Sequence, residues 1–128
     1  VEGKRIILID DSIVRGTTSK KIVEMMRDAG AAEVHMRIAS PPTEHSCFYG
    51  VDTPERSKLL AATMDTEAMA EFIKADSLAF VSIDGLYRAV GETERNKKCP
   101  QFCDACFSGE YPTKLTDFSD RFPELDAA

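Results

Sequence analysis

The sequence predicts an α/β domain built on a parallel sheet. Three observations predict it: an aliphatic run of strand length near the N-terminus, a stretch with apolar residues at helical spacing, and then an alternation of apolar and polar residues. A chain of 128 residues, 43% hydrophobic and 30% charged, has the composition of one globular domain with a single core.

The first three elements form a predicted βαβ unit. The unbroken aliphatic run Arg5–Ile9 is typical of a strand buried on both faces of a parallel sheet. Apolar residues recur at helical spacing from Ser19 to Ala29, and Gly30 follows where helices commonly stop. The alternation over Val34–Ile38 predicts the second strand, and the crossover between parallel strands should be right-handed.

The patterns that follow are shorter. They predict a loop over Pro42–Pro54, a strand end at Leu59–Ala62 and a helix over Asp65–Lys74, which Asp65 or Thr63 would cap. A buried strand over Ser77–Ser82 and a short helix over Leu86–Val90, closed by Gly91, are predicted next. A linker over Glu92–Lys98 and an irregular tail after Thr113 complete the chain. We therefore divide the chain into residues 1–91, the α/β part, and residues 92–128, a cysteine-containing C-terminal segment.

Charge and hydropathy exclude several classes of function. The net charge of −6 and the pI near 4.9 argue against nucleic-acid binding, which uses basic patches. No apolar run is long enough to span a membrane, and the N-terminal residues lack the apolar stretch of a signal peptide. We expect no nucleic-acid or membrane partner and a cytoplasmic location.

The segment Ile7–Ser19 carries the pattern of a site for a sugar phosphate. Ligands of parallel sheets bind beyond the carboxyl ends of strands, where a loop opens a helix whose free N–H groups attract phosphate. Gly16 permits close approach to an anion, and the hydroxyls of Thr17–Ser19 add donors. Asp10 and Asp11 could accept hydrogen bonds from two ribose hydroxyls, directly or through Mg²⁺.

A purely structural interpretation of the same residues is a turn at Asp10–Ser12 followed by a helix N-cap at Thr17–Ser19. The joint occurrence of both after an aliphatic strand favours the binding site. The loop is not a Walker A sequence, because no Lys precedes its Ser/Thr residues, so simple nucleotide hydrolysis is disfavoured.

The motif Ile9–Ser19 resembles the substrate motif of type I phosphoribosyltransferases. Its wording Asp-Ser-Ile-Val-Arg-Gly-Thr-Thr-Ser is similar, more narrowly, to that of the glutamine phosphoribosylpyrophosphate amidotransferase family. The resemblance extends to about Asp117 through four further segments: His35–Ser40, Ser46–Asp52, Ala75–Leu78 and Phe107–Thr113. It implies a parallel, Rossmann-like sheet of the type I phosphoribosyltransferase kind, present only in part, with a C-terminal cysteine-bearing segment.

The resemblance also implies an activity, in which ammonia from glutamine displaces pyrophosphate at C1 of phosphoribosyl pyrophosphate and gives 5-phosphoribosylamine, the first committed step of purine biosynthesis. Asp10 and Asp11 would be the catalytic residues and would address the ribose hydroxyls and Mg²⁺. The implied substrate-binding residues are Asp10, Asp11, Ser12, Arg15, Gly16, Thr17, Thr18 and Ser19. Purine nucleotides would inhibit at the same phosphate site, and the full-length enzyme would be a homo-oligomer.

The chain begins with Val1, and the Ile6 strand is where the second half of a transferase domain would start. We therefore expect a C-terminal fragment that lacks the glutaminase domain and the pyrophosphate loop and is inactive alone. Two other functions stay open. One is a non-catalytic, phosphoribosyltransferase-like domain that binds nucleotides for regulation, and the other is a small metal-binding interaction module.

Four cysteines, three of them within eight residues, suggest metal or redox chemistry. Cys103 and Cys106 have a spacing that lets both thiolates reach one metal. The resemblance implies a [4Fe-4S] cluster on Cys47, Cys103 and Cys106, with a fourth ligand upstream of residue 1 and an uncertain place for Cys99. The alternatives are a zinc site on Cys99, Cys103 and Cys106 with His45 or Cys47, or free thiols.

Overall fold

The computed structural model describes residues 1–115, and these form a parallel sheet with helices. The sheet order is β1-β2-β3, with β1 at Arg5–Asp10, β2 at Glu33–Ile38 and β3 at Ser77–Phe80. The helices are α1 (Thr17–Asp28), α2 (Leu60–Thr63), α3 (Thr66–Ile73), α4 (Ile83–Ala89) and α5 (Ala105–Ser108), and a 3₁₀ turn covers Arg56–Lys58. The predicted α/β class is confirmed.

The parallel register brings the carboxyl ends of the strands to one edge of the sheet. Asp10 pairs with Ile38, and Ile38 pairs with Phe80. The backbone N–H of Ala39 donates to the Asp10 carbonyl over 2.9 Å and extends the pairing by one residue. The loops that follow β1 and β2 therefore leave the sheet side by side.

The core lies between the sheet and helices α1 and α3, which also pack against each other. Val23 of α1 and Ile73 of α3 are fully buried against the apolar face of β2. This face consists of Val34, Met36 and Ile38, each at most 2% exposed. The predicted helix over Asp65–Lys74 is confirmed, and Asp65 caps it by accepting a hydrogen bond from the Ala68 N–H (2.9 Å).

The prediction that β1 is buried on both faces is wrong. Ile7 is 65% exposed and Ile9 is 80% exposed, whereas Ile6 and Leu8 pack against the core. The aliphatic run predicted burial from composition alone, but in the described chain β1 lies at the sheet edge and the core covers one of its faces.

Further boundaries differ from the prediction, and the helix predicted over Leu86–Val90 is α4, which begins at Ile83 and ends at Ala89. Leu59–Ala62 is not a strand end, because Leu60 begins α2, where its N–H donates to the Val14 carbonyl (2.8 Å). β3 ends at Phe80 and is only partly buried, because Ser82 instead caps α4 by accepting a hydrogen bond from the Gly85 N–H (3.0 Å). The predicted tail, from residue 116 onward, lies outside the described residues. Over residues 1–115, no helix is both long and apolar enough to cross a membrane.

Asp76 links α1 to the sheet, and its replacement gives a first prediction. The Val34 N–H and Arg27, each 2.6 Å from Asp76 Oδ2, lower the pKa of this carboxyl. An aspartate whose pKa is lower in the folded protein than in the unfolded chain, where it is about 3.9, stabilises the fold at pH values above 3.9. This stabilisation is lost as the pH falls through the pKa of the folded protein. Because the side chain is 36% exposed, we expect Asp76→Asn to cost only about 1 kcal/mol at pH 7.

The measurement for this prediction is urea unfolding at pH 7 and at pH 3. The difference in unfolding free energy between Asp76→Asn and the wild type should shrink at the lower pH. An equal difference at both pH values would contradict the assignment.

Candidate functional site

A cleft of about 460 Å³ opens at the carboxyl end of β1. It is lined by the continuous segment Asp10–Ser19 and by two residues of the loop after β2, Asp52 and Pro54. The structure therefore brings every predicted substrate-binding residue to one surface. Ile13 anchors this loop, because its side chain is 2% exposed and packs in the hydrophobic core.

Gly16 fixes the shape of this cleft. Its φ of +72° lies in the left-handed region that favours glycine, and it occupies the N-cap position of α1. A Cβ at this position would lie 2.6 Å from Leu60 Cδ2 and 3.1 Å from Phe72 Cε1. The absence of a side chain thus lets the loop lie directly against α2 and α3, which places the start of α1 at the cleft.

The N-terminus of α1 begins at Thr17, two residues earlier than predicted. No side chain caps it, so its first N–H groups remain available to an anion at the positive end of a 12-residue helix. Thr17 and Thr18 are exposed, whereas Ser19 is 3% exposed. The predicted donors Thr17 and Thr18 are therefore accessible to solvent, whereas Ser19 is buried in the first turn of α1.

Asp10 and Asp11 have only local partners in the described part of the chain. An Asp10 carboxylate oxygen accepts the Asp11 N–H (3.0 Å), and an Asp11 carboxylate oxygen accepts the Ser12 hydroxyl (2.9 Å). Both carboxylates keep further acceptor capacity toward the cleft. Arg15 is the one cationic side chain among the residues that line it. The cleft thus combines acceptors for hydroxyl groups or a cation at one end with donors for an anion at the other.

Asp52 is the cleft residue that reasoning from the sequence missed as a site residue. Its loop is closed on itself, because Ser46 Oγ donates to the Pro54 carbonyl (2.9 Å) and the Cys47 N–H donates to Thr53 Oγ1 (2.7 Å). This closure carries Asp52 to the cleft edge. The signal in the sequence was weak, since an acidic residue before Thr-Pro is typical of any turn.

The same closed loop also carries Cys47, whose N–H takes part in the closure. Burial acts to raise the pKa of the Cys47 thiol, but backbone N–H groups of Gly50, Tyr49 and Val51 outweigh it and lower the pKa. Burial raises the pKa of the Cys106 thiol, and the charges of Cys47 and Cys103 raise it further. Cys106 therefore lies close enough to Cys47 and to Cys103 for their charges to act on its thiol.

All four cysteines are free thiols, and Cys99 is exposed. Within residues 1–115, no three side chains of the His, Cys, Asp and Glu types converge on the position of one metal ion. A tetrahedral zinc ion holds its sulfur ligands at about 2.3 Å, so its ligands must lie in close contact with each other.

The chain resembles known proteins over nearly its whole length, although no protein-family model matches it. The amidophosphoribosyltransferase of Rhizobium etli is 63% identical over 118 residues, which cover 91% of this chain and 24% of that protein. The amidophosphoribosyltransferase of Bacillus subtilis is 50% identical over 115 residues, which cover 90% and 24%. The chain corresponds to one part of an amidophosphoribosyltransferase.

A solved structure supports the same assignment. Glutamine phosphoribosylpyrophosphate amidotransferase from B. subtilis, complexed with ADP and GMP, superposes with a TM-score of 0.80 at 50% identity over 90% of this chain and 25% of that one. The chain thus spans about a quarter of the length of the amidophosphoribosyltransferases that it matches. The predicted resemblance and the partial phosphoribosyltransferase fold are confirmed.

Proposed function

We propose that this chain supplies the ribose 5-phosphate half of an amidophosphoribosyltransferase active site. The enzyme would make 5-phosphoribosylamine from phosphoribosyl pyrophosphate and glutamine, in the first committed step of purine biosynthesis. The observation that carries the proposal is the cleft itself, where the carboxylates of Asp10 and Asp11 stand beside the uncapped N-terminus of α1.

The order of groups along the cleft matches the order of groups in the substrate. The 5'-phosphate would accept hydrogen bonds from the first N–H groups of α1, the Thr17 and Thr18 hydroxyls and the Arg15 guanidinium. The carboxylates of Asp10 and Asp11 would accept hydrogen bonds from the ribose hydroxyls and so orient the sugar. As pyrophosphate leaves C1, positive charge develops on the ring, and two fixed carboxylates stabilise it electrostatically.

Mg²⁺ fits this site, and Asp10 and Asp11 would hold it. This ion commonly keeps several waters and binds through one or two carboxylates together with substrate phosphates, so a site without three protein ligands is suitable for it. When bound, Mg²⁺ would neutralise charge on the departing pyrophosphate.

Calorimetric titration of the full-length protein with phosphoribosyl pyrophosphate and Mg²⁺ tests the proposal. We expect Asp10→Asn and Asp11→Asn each to weaken binding about tenfold or more, because each loses hydrogen bonds to a charged acceptor. Asp28→Asn, at the opposite end of α1, is the matched control and should bind like the wild type. Equal affinities in all four proteins would overturn the assigned roles.

We also propose that purine nucleotides bind with their 5'-phosphate at the same helix terminus. Titration with GMP separates the candidate functions: a regulatory nucleotide-binding domain would bind GMP but not phosphoribosyl pyrophosphate, and a metal-binding module would bind neither. A cytoplasmic location is supported by the four free thiols. A homo-oligomeric enzyme is supported by the family resemblance.

We further propose that Cys47, Cys103 and Cys106 provide three thiolates to a [4Fe-4S] cluster. The support is the hydrogen bonds of the Cys47 segment to the Cys106 carbonyl, from the Glu44 and His45 N–H groups at 3.1 Å each, together with the effect of the Cys47 and Cys103 charges on the Cys106 thiol. Cysteine thiolates are the ligands that hold iron–sulfur clusters in proteins. The cluster would hold the two segments together.

A further inference from the structure

A buried ion pair joins Asp104, which lies between Cys103 and Cys106 in the sequence, to Arg95 of the preceding linker. The side chains of Arg95 and Asp104 are 8% and 5% exposed and form an ion pair through Arg95 Nε and Nη2. Removing either charge would leave the other in a low-dielectric environment. Neither residue lines the ribose phosphate cleft.

Both carboxylate oxygens of Asp104 are occupied. Besides Arg95, the Tyr87 hydroxyl of α4 donates to Oδ2 (2.9 Å) and the Ser108 hydroxyl donates to Oδ1 (2.9 Å). Arg95 Nη2 also donates to Glu110 over 2.7 Å. An aspartate at a helix N-cap normally accepts an N–H of the first turn, but Asp104 at the N-cap of α5 makes no such bond. Its carboxylate instead ties α5 to α4 and to the linker.

The opposite side of α5 is held by the segment that contains Cys47. The Cys106 carbonyl accepts the Glu44 and His45 N–H groups, and the Tyr111 hydroxyl donates to the Ser46 carbonyl over 2.6 Å. Gly109, at φ +75°, packs so closely that a Cβ would lie 2.9 Å from the His45 ring. The turn that carries Cys103 and Cys106 is thus held between two parts of the fold, by its backbone on one side and by Asp104 on the other.

We propose that Arg95 and Asp104 are positioning residues that hold the Cys103–Cys106 turn against Cys47 in the geometry an iron–sulfur cluster requires. This inference rests on the cluster proposal above. A turn between two thiolate ligands has few internal contacts, and its orientation depends on such supporting hydrogen bonds. Arg95 also balances the negative charge of Asp104, which would otherwise add to that of the thiolates.

Anaerobic reconstitution of the full-length protein with ferrous iron and sulfide tests the inference. The readouts are iron and sulfide per chain, the visible absorption of the cluster and far-ultraviolet circular dichroism. We expect Asp104→Asn to lower cluster affinity about tenfold, within the range found for residues that support metal ligands. Tyr87→Phe, which removes one hydrogen bond and keeps the ring, should lower it about threefold with unchanged circular dichroism.

Asp76→Asn is the matched control, since it removes the carboxylate of the Arg27 ion pair far from the cysteines in sequence. It should load like the wild type. If Asp104→Asn fails to fold, Tyr87→Phe decides the question. Variants that load as fully as the wild type, or a control that loses the cluster equally, would overturn the positioning role and leave the cluster proposal standing. Wild-type protein that takes up no cluster would overturn both.

Discussion

Replacing Gly16 by alanine is expected to abolish ribose phosphate binding and to destabilise the domain by about 2–5 kcal/mol. The left-handed conformation costs a non-glycine residue about 1–2 kcal/mol. The new methyl group would lie 2.6 Å from Leu60 Cδ2, and relieving such a contact in a packed core costs about 1–3 kcal/mol more. Because the contact and the left-handed conformation both strain the loop at this position, the first N–H groups of α1 would lose their alignment with the phosphate.

Gly91→Ala is the control for this prediction. Gly91 has a φ of +94°, but a Cβ there would meet nothing within 4 Å. It should therefore show only the conformational cost of about 1–2 kcal/mol and bind normally. Urea unfolding and calorimetric titration with ribose 5-phosphate measure the two effects. A Gly16→Ala variant as stable and as active in binding as Gly91→Ala would show that the contact with Leu60 does not shape the cleft.

Replacing Arg95 by methionine should cost about 3–5 kcal/mol at pH 7, because it leaves the buried Asp104 carboxylate without its cation. Burial acts to raise the pKa of Asp104, but Arg95, Ser108 and Tyr87 outweigh it and lower the pKa. The ion pair thus stabilises the fold above pH 3.9, which is about the pKa of an aspartate in the unfolded chain. This stabilisation is lost as the pH falls through the lower pKa of Asp104 in the folded protein. The deficit of the variant should therefore be smaller in acid.

Hydrogen exchange of the amides in α4 and α5, at pH 7 and at pH 3, measures this loss locally. Lys58→Met, which removes the cation of the exposed Lys58–Glu55 pair, is the control and should change stability by less than about 0.5 kcal/mol. The double variant Arg95→Met with Asp104→Leu should recover part of the loss, since no buried charge remains. A double variant less stable than Arg95→Met would contradict this account.

Much of the binding site was predictable because it is local in sequence. Asp10 to Ser19 form one strand end, one loop and one helix start, and the chemistry of each residue type is readable from its order. Asp52 was not predictable as a member of the cleft, because the hydrogen bonds that close its loop join residues six to eight positions apart through side chains. The pairing of Arg95 with Asp104 was equally invisible, since it depends on how α4, the linker and α5 fold back.

By itself, the sequence determined the α/β class, the βαβ order, the phosphate loop and the family, because periodicity and a contiguous motif are properties of neighbouring residues. The tertiary structure alone decided which face of β1 is covered. It also decided that Leu60 begins a helix, and that Cys106 lies near Cys47 of a distant loop. These outcomes depend on contacts between distant residues, and the energies of such contacts are set by packing that no local pattern specifies.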